Sequence, residues 1–134
     1  VAVIEFRVDR ALGLPAYLQL VRQVREALRL GWLRPGDRLP TVRDVVASSG
    51  VNANTVLKAY RELEHAGLVE ARQGSGTFVR ASLGSVDAAV MAGLRDRLTE
   101  WVTAARAAGL EDEDVDALMR AVLAGETDNR VEGA

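Results

Sequence analysis

Apolar positions along this 134-residue chain fall into helical spacing in five places, with two short β-like runs between the third and the fourth. Leu14, Leu18, Val21, Val24 and Leu28 recur at steps of three and four, which predicts one apolar helical face, with Arg22, Arg25 and Arg29 off it. Pro15 suits the first turn of that helix and Gly31 its end. Pro35-Gly36-Asp37 reads as a turn. Arg38-Leu39-Pro40 is extended, because the residue before a proline avoids helical backbone. Thr41 caps a short second helix, with Asp44 three residues on and Val42, Val45 and Val46 inward. Gly50 turns the chain, and Asn52 caps a third helix. Its inward residues are Val56, Ala59, Tyr60 and Leu63, its outward ones Asn54, Lys58 and Arg61, and His65-Ala66-Gly67 closes it. Leu68–Arg72 and Thr77–Arg80 are two strands joined by Gln73-Gly74-Ser75-Gly76. Val1–Val8 reads either as a short strand or as an ordered arm.

Behind a linker, Ala81-Ser82-Leu83-Gly84, Ser85 caps a fourth helix that ends at Gly109. Its stripe is Val86, Val90, Leu94, Leu98, Trp101, Val102 and Ala105. A fifth helix opens in Glu111-Asp112-Glu113-Asp114 and carries Val115, Leu118, Met119, Val122 and Leu123. The order predicts a mainly α fold with a small β-hairpin. A winged helix-turn-helix spans 1–80, a two-helix C-terminal appendage 85–125, and a frayed tail 126–134. Two helices alone bury little. The stripe is therefore expected to meet a second chain through Val86, Val90, Leu94, Leu98, Trp101, Val102, Leu118 and Val122, as the same patch does on both partners of a symmetric dimer.

The absence of cysteine rules out disulfides, thiolate zinc sites and cysteine nucleophiles. No apolar run approaches the ~18 residues of a membrane span, and the N-terminus lacks a signal-peptide pattern. A cytoplasmic protein without membrane association is expected. The net charge of −2 hides a division: residues 1–82 hold 12 basic and 8 acidic side chains, residues 83–134 hold 5 and 11. A basic front half fits a polyanionic partner, and the acidic rear fits an appendage that does not touch it.

The chemistry this pattern supports is recognition. A helix entering the major groove must show polar groups to base edges and positive groups to phosphates. The third helix offers Asn52, Asn54, Thr55, Lys58 and Arg61. Asn pairs bidentately with adenine, and Asn52 can cap, read or do both. Thr41 and Arg43 stand where the second helix would cross the DNA backbone. The hairpin tip, Gly74, Ser75 and Gly76, has no bulky side chain, so its backbone can approach DNA closely. Gln73, Ser75 and Thr77 add hydrogen bonds, and Arg72 and Arg80 charge. No set of nucleophile, base and orienting group is present, so neither catalysis nor a cofactor is expected. His65 sits where an imidazolium suits a helix C-terminus. Glu111–Asp116 lacks the ordered pattern of a calcium loop and suits a helix N-terminus, so no metal site is expected. Trp32 and Trp101 read as packing or interface residues.

Several blocks in order carry a resemblance. Tyr17-Leu18-Gln19, Leu33-Arg34-Pro35-Gly36-Asp37, Leu39-Pro40 with Arg43, Val51-Asn52-Ala53-Asn54-Thr55-Val56, Ala59-Tyr60-Arg61-Glu62-Leu63-Glu64, Gly67-Leu68 and Gly74-Ser75-Gly76-Thr77-Phe78-Val79 resemble the DNA-binding domain of the GntR family of bacterial transcription factors. The likeness covers about residues 3–80. Asn-x-Asn-Thr-Val followed by Ala-Tyr is similar to the YtrA and MocR branches. MocR members carry a large aminotransferase-like domain for which 134 residues leave no room. YtrA members end in about two dimerising helices. The resemblance implies a homodimeric regulator, a repressor on a pseudo-palindromic DNA operator, with Arg43, Asn54, Thr55 and Gly76 among the contacts. Ala53 and Leu57 depart from the arginine or polar residue many members carry, and Ser75 from a basic wing tip. A tail of about 50 residues is small for a pocket of its own, so an unidentified small-molecule effector is expected at the dimer interface or between domains. A winged helix serving a protein partner is the alternative reading, which the basic face of the third helix argues against.

Overall fold

The computed structural model describes residues 4–84 and 86–125. Its helices are α1 (Ala16–Leu30), α2 (Val42–Ser49), α3 (Ala53–His65), α4 (Ala88–Ala107) and α5 (Asp112–Leu123), and its strands β1 (Val69–Arg72) and β2 (Gly76–Val79). A 3-10 turn, Arg10–Leu12, precedes α1. The fold is mainly α with a small antiparallel hairpin, a winged helix-turn-helix followed by two helices. Two units are distinguished, Val1–Ala88 and Ala89–Ala134. Residues 1–3 of the expected strand or arm, the expected cap Ser85 and the expected frayed tail 126–134 lie outside the described residues.

In the first unit Leu20, Val24, Leu28, Leu33, Leu39, Val45, Val56, Leu63, Val69 and Val79 are fully buried. Helix α3 packs against α1, α2 and β1. The apolar face of α1 differs from the expected one. Leu20, Val21, Val24, Ala27 and Leu28 are buried, whereas Leu14 and Leu18 are only half-buried. Pro15 is the N-cap, so Leu14 precedes the helix and escapes its period. Leu18 falls at the edge of the face, beside Arg22 and Arg25 in a shallow groove.

The described part of the N-terminal stretch, residues 4–9, is an extended arm without strand pairing. Glutamine side chains of α1 take the place of a neighbouring strand. Gln23 accepts from the Arg7 N–H at 2.9 Å and donates to the Arg7 carbonyl. Gln19 accepts from the Asp9 N–H at 2.8 Å and donates to the Asp9 and Leu14 carbonyls at 2.8 and 2.9 Å.

The caps follow the sequence. Thr41 Oγ1 accepts from the Asp44 N–H at 3.1 Å, and Asn52 Oδ1 accepts from the Asn54 and Thr55 N–H groups at 2.8 and 3.2 Å. These side-chain oxygens satisfy amides that a helix start leaves unpaired. In the hairpin Val69 faces Val79 and Arg72 faces Gly76. The Ser75 N–H closes the tip on the Arg72 carbonyl at 2.9 Å. The extended Arg38-Leu39-Pro40 segment lies on the other edge of β2: Arg38 bridges to Phe78, and the Leu39 N–H donates to the Thr77 carbonyl at 2.8 Å.

Residues 81–84 are not a free linker. Ala81 and Leu83 pack against the core. Gly84 lies so close to the end of α1 that a Cβ there would stand 2.5 Å from the Arg29 carbonyl oxygen.

In the second unit Leu110 donates to the Ala105 carbonyl at 3.0 Å, closing α4. Glu111 and Asp114 form a capping box at the start of α5, the role the acidic run was expected to play. Arg106 pairs with Asp112 at 2.9 Å. Ala105 and Val115 are its buried apolar residues. Val90, Leu94 and Leu98 are about half exposed, Trp101 and Leu118 somewhat less, and Val122 more. Val102 departs from the expected outward stripe and is half-buried, and Val86, also exposed, precedes α4 instead of belonging to it. No helix among the described residues is long and apolar enough to cross a membrane.

Candidate nucleic-acid interface

The residues expected to meet DNA come from three places: the start of α2, the outer side of α3 and the hairpin. The segment 38–40 joins all three. It pairs with β2 through Arg38 and Leu39, and it leads into α2 at Thr41. Its Pro40 carbonyl accepts a hydrogen bond from the buried Tyr60 hydroxyl of α3 at 2.5 Å. Burial, and secondarily the charge of Asp44, push the Tyr60 phenol well above its ordinary pKa. Tyr60 therefore remains a donor, and the joint holds at any ordinary pH.

On α3, Val56, Ala59, Tyr60 and Leu63 are buried, and Asn54, Lys58 and Arg61 are exposed, so the helix separates a packing side from a polar side. Asn52 is exposed, but its side-chain oxygen is committed to the cap. What it can show to a base is its amide NH2, a donor only. Thr55 is half-buried, with its N–H held by that cap. Leu57, one of the departures from the family pattern, is partly exposed on the same helix. Arg43 is exposed in the first turn of α2, beside the capping Thr41, which is half-buried.

Two expected contacts have partners within the chain. The Lys58 ammonium lies over the Tyr17 ring of α1, 3.9 Å from its centroid. A cation over an aromatic face gains about 0.5–1 kcal/mol at an exposed site, which is little enough for a phosphate to compete. Arg72 pairs with Glu70 at 2.8 Å and lies over Phe78 at 4.3 Å. Its charge is thus partly offset on the sheet face. At the wing tip Gln73, Gly74 and Ser75 are exposed, and Gly76 and Thr77 half-buried. Gly76 has φ 118, a conformation side-chain-bearing residues rarely adopt.

Sequence reasoning missed Arg38 and Tyr17. The Arg38 guanidinium stands against Gly76, 2.9 Å from where a Cβ would be, and adds charge to the wing that the hairpin sequence does not contain. The extended reading of 38–40 was a partial signal, but not which strand it would join. Tyr17 was legible only as part of a motif.

Known proteins resemble this chain in sequence and in fold. The model of the family described as "Bacterial regulatory proteins, gntR family" matches residues 16–79. The HTH-type transcriptional regulator Rv1152 of Mycobacterium tuberculosis is 48% identical over 81% of this chain and 85% of its own. The HTH-type transcriptional repressor YtrA of Bacillus subtilis is 31% identical over 88% of this chain and 92% of its own. Among solved structures, a transcriptional antiterminator from Listeria monocytogenes superposes with a TM-score of 0.59 at 28% identity, covering 98% of this chain and all of the other.

Proposed function

We propose, from the premise that this chain belongs to the gntR family of bacterial regulatory proteins and is a DNA-binding transcriptional regulator with YtrA-like relatives, that it acts as a homodimeric repressor on a pseudo-palindromic operator. The observation that carries the reading is the division of α3, with Asn54, Lys58 and Arg61 outward and Val56, Ala59, Tyr60 and Leu63 locked inward. A helix so divided can lie in the major groove with its N-terminal residues on base edges. Asn54 reads a base, Lys58 and Arg61 meet phosphate or guanine, and Thr41 and Arg43 fix the register on the backbone. The backbone and side chains of Arg72 to Thr77 approach the DNA as the wing.

The dimer reading is supported by the large apolar residues that α4 and α5 leave exposed, among them Val90, Leu94, Leu98, Trp101, Leu118 and Val122. Two protomers related by a twofold axis would present their recognition helices to half-sites about 10 bp apart or a multiple of that. Repression rests on the name of the Bacillus subtilis relative. The cytoplasm, where chromosomal operators lie, is the working compartment.

A ligand-responsive form of this regulator has one observation in its favour. Leu98, Trp101, Leu118, Met119, Val122 and Leu123 line an apolar groove of about 500 Å³, within the range of small-molecule sites. An effector there would share residues with the dimer interface and so bias half-site spacing.

The test is capture of fragments of the protein's own genome, sequenced after washes at two salt concentrations. A recurrent, salt-sensitive palindrome is the expected result. A folded dimer that enriches nothing, and that keeps a protein partner after nuclease treatment, would overturn the reading in favour of a protein-interaction module.

A further inference from the structure

We infer that Arg10, in the arm ahead of α1, is a further operator contact whose guanidinium meets a DNA phosphate beside the N-terminus of α3. The inference rests on the DNA-binding reading of α3 and adds to it a residue outside both the helix-turn-helix and the wing.

Arg10 lines a cleft of about 210 Å³ with Val8, Ser49, Val51, Asn52 and Thr55. Ser49 and Val51 flank the turn between α2 and α3, and Asn52 and Thr55 belong to the capped start of α3. The arm therefore brings a positive side chain to the end of the recognition helix that goes deepest into the groove. Arg10 is exposed, and among the described residues it takes part in no ion pair. The neighbouring Asp9 carboxylate accepts from the Ala11 N–H at 2.9 Å, caps the 3-10 turn and forms no ion pair with Arg10.

What makes this more than a surface arginine on a loose terminus is Gln19. The residue is 4% exposed. Its oxygen and its amide nitrogen are spent on the backbone at both ends of the 9–14 turn, at the Asp9 N–H, the Asp9 carbonyl and the Leu14 carbonyl. Helix α1, which carries Gln19, packs directly on α3. A continuous hydrogen-bonded and packed path thus fixes the turn bearing Arg10 relative to Asn52 and Thr55. A guanidinium whose backbone is already placed loses less freedom on meeting a phosphate, and phosphate contacts of this kind set a protein's register on the duplex. Gln19 is a positioning residue and Arg10 the contact.

The experiment titrates the unmodified chain, Arg10→Ala and Arg10→Lys onto the operator recovered by genomic capture, at several salt concentrations. Arg10→Ala is expected to bind about tenfold more weakly across related sequences, with the slope of log K against log salt shallower by about 0.9. Arg10→Lys restores the slope, because it restores the charge. Gln19→Met keeps volume but removes all three arm contacts. If it folds, it is expected to make the Arg10→Ala change nearly silent. If it unfolds, the two Arg10 variants decide alone. Affinity and slope unchanged in Arg10→Ala would overturn the assignment, as would an altered base preference with an unchanged slope. If the unmodified chain shows no salt-dependent binding, the DNA reading itself fails and Arg10 falls with it.

Discussion

The Tyr60 hydroxyl reaches from the buried side of α3 to the Pro40 carbonyl, one residue before the cap of α2. This hydrogen bond ties α3 to the segment that leads into α2, in addition to the apolar packing of Val45 with Val56 and Leu63 in the shared core. Both ends of that bond are enclosed, so water cannot replace the donor.

Tyr60→Phe is expected to leave the Pro40 carbonyl without its donor and to destabilise the chain by about 1–2 kcal/mol. Urea unfolding should show a lower midpoint with an unchanged slope. A midpoint within error of the parent chain would mean that the bond contributes nothing.

The same residue predicts an alkaline sensitivity. In the folded chain the phenol keeps its proton above the ordinary pKa of 10.0, because of burial first and of the Asp44 charge second. Above pH 10 the folded state thus binds more protons than the unfolded one, so stability is level below that pH and falls as the pH rises through it. Tyr60→Phe should lose this part of the decline. Thermal melts between pH 8 and about 11 would detect it, and parallel curves for the two proteins would contradict it.

Lys58 and Asn54 should differ in what they do to DNA binding. Lys58→Ala is expected to weaken all sequences alike and to lower the salt slope by about 1, once the ammonium has left the Tyr17 ring for a phosphate. Asn54→Ala should instead flatten preference at one base position, by about 1–3 kcal/mol. Selection from a randomised operator library separates the two, and an unaltered preference profile for Asn54→Ala would refute its reading role.

Gly84→Ala tests the docked segment. Its new methyl would meet the Arg29 carbonyl oxygen, a backbone atom that cannot swing aside. The expected cost is about 1–3 kcal/mol, seen as an earlier thermal transition, whereas Ser82→Ala, at an exposed site, should cost little. Equal melting of both variants would mean that residues 81–84 are not held.

Leu98→Glu places a charge in the apolar groove between α4 and α5. Sedimentation should then show a monomer, with operator binding weakened far more than half-site binding. A variant that stays dimeric would locate the interface elsewhere.

Sequence alone revealed what is local. Thr41, Asn52 and the glycine-rich hairpin tip announce themselves within a few residues, and so did the two ends of α2, the start of α3 and the wing. What it concealed depends on register and distance. Leu14 and Leu18 have the right spacing for the α1 face, yet the packing of α1 on α3 selects Leu20 and Ala27. Nothing near Arg38 says that it pairs with Phe78, forty residues on. Gln19 and Gln23 look like ordinary polar helix residues until the arm they bind is in place.

The three residues from Arg38 to Pro40 bind the hairpin on one side and α3 on the other. Variation in operator preference is then channelled. The exposed side chains of α3, Asn54, Lys58 and Arg61, can change singly, because they lie outside the buried side of the helix. An insertion or deletion within 38–40 would break the pairing with β2 and the Pro40–Tyr60 bond at once, so diversification of the lineage should proceed by substitution on α3 and by length change elsewhere.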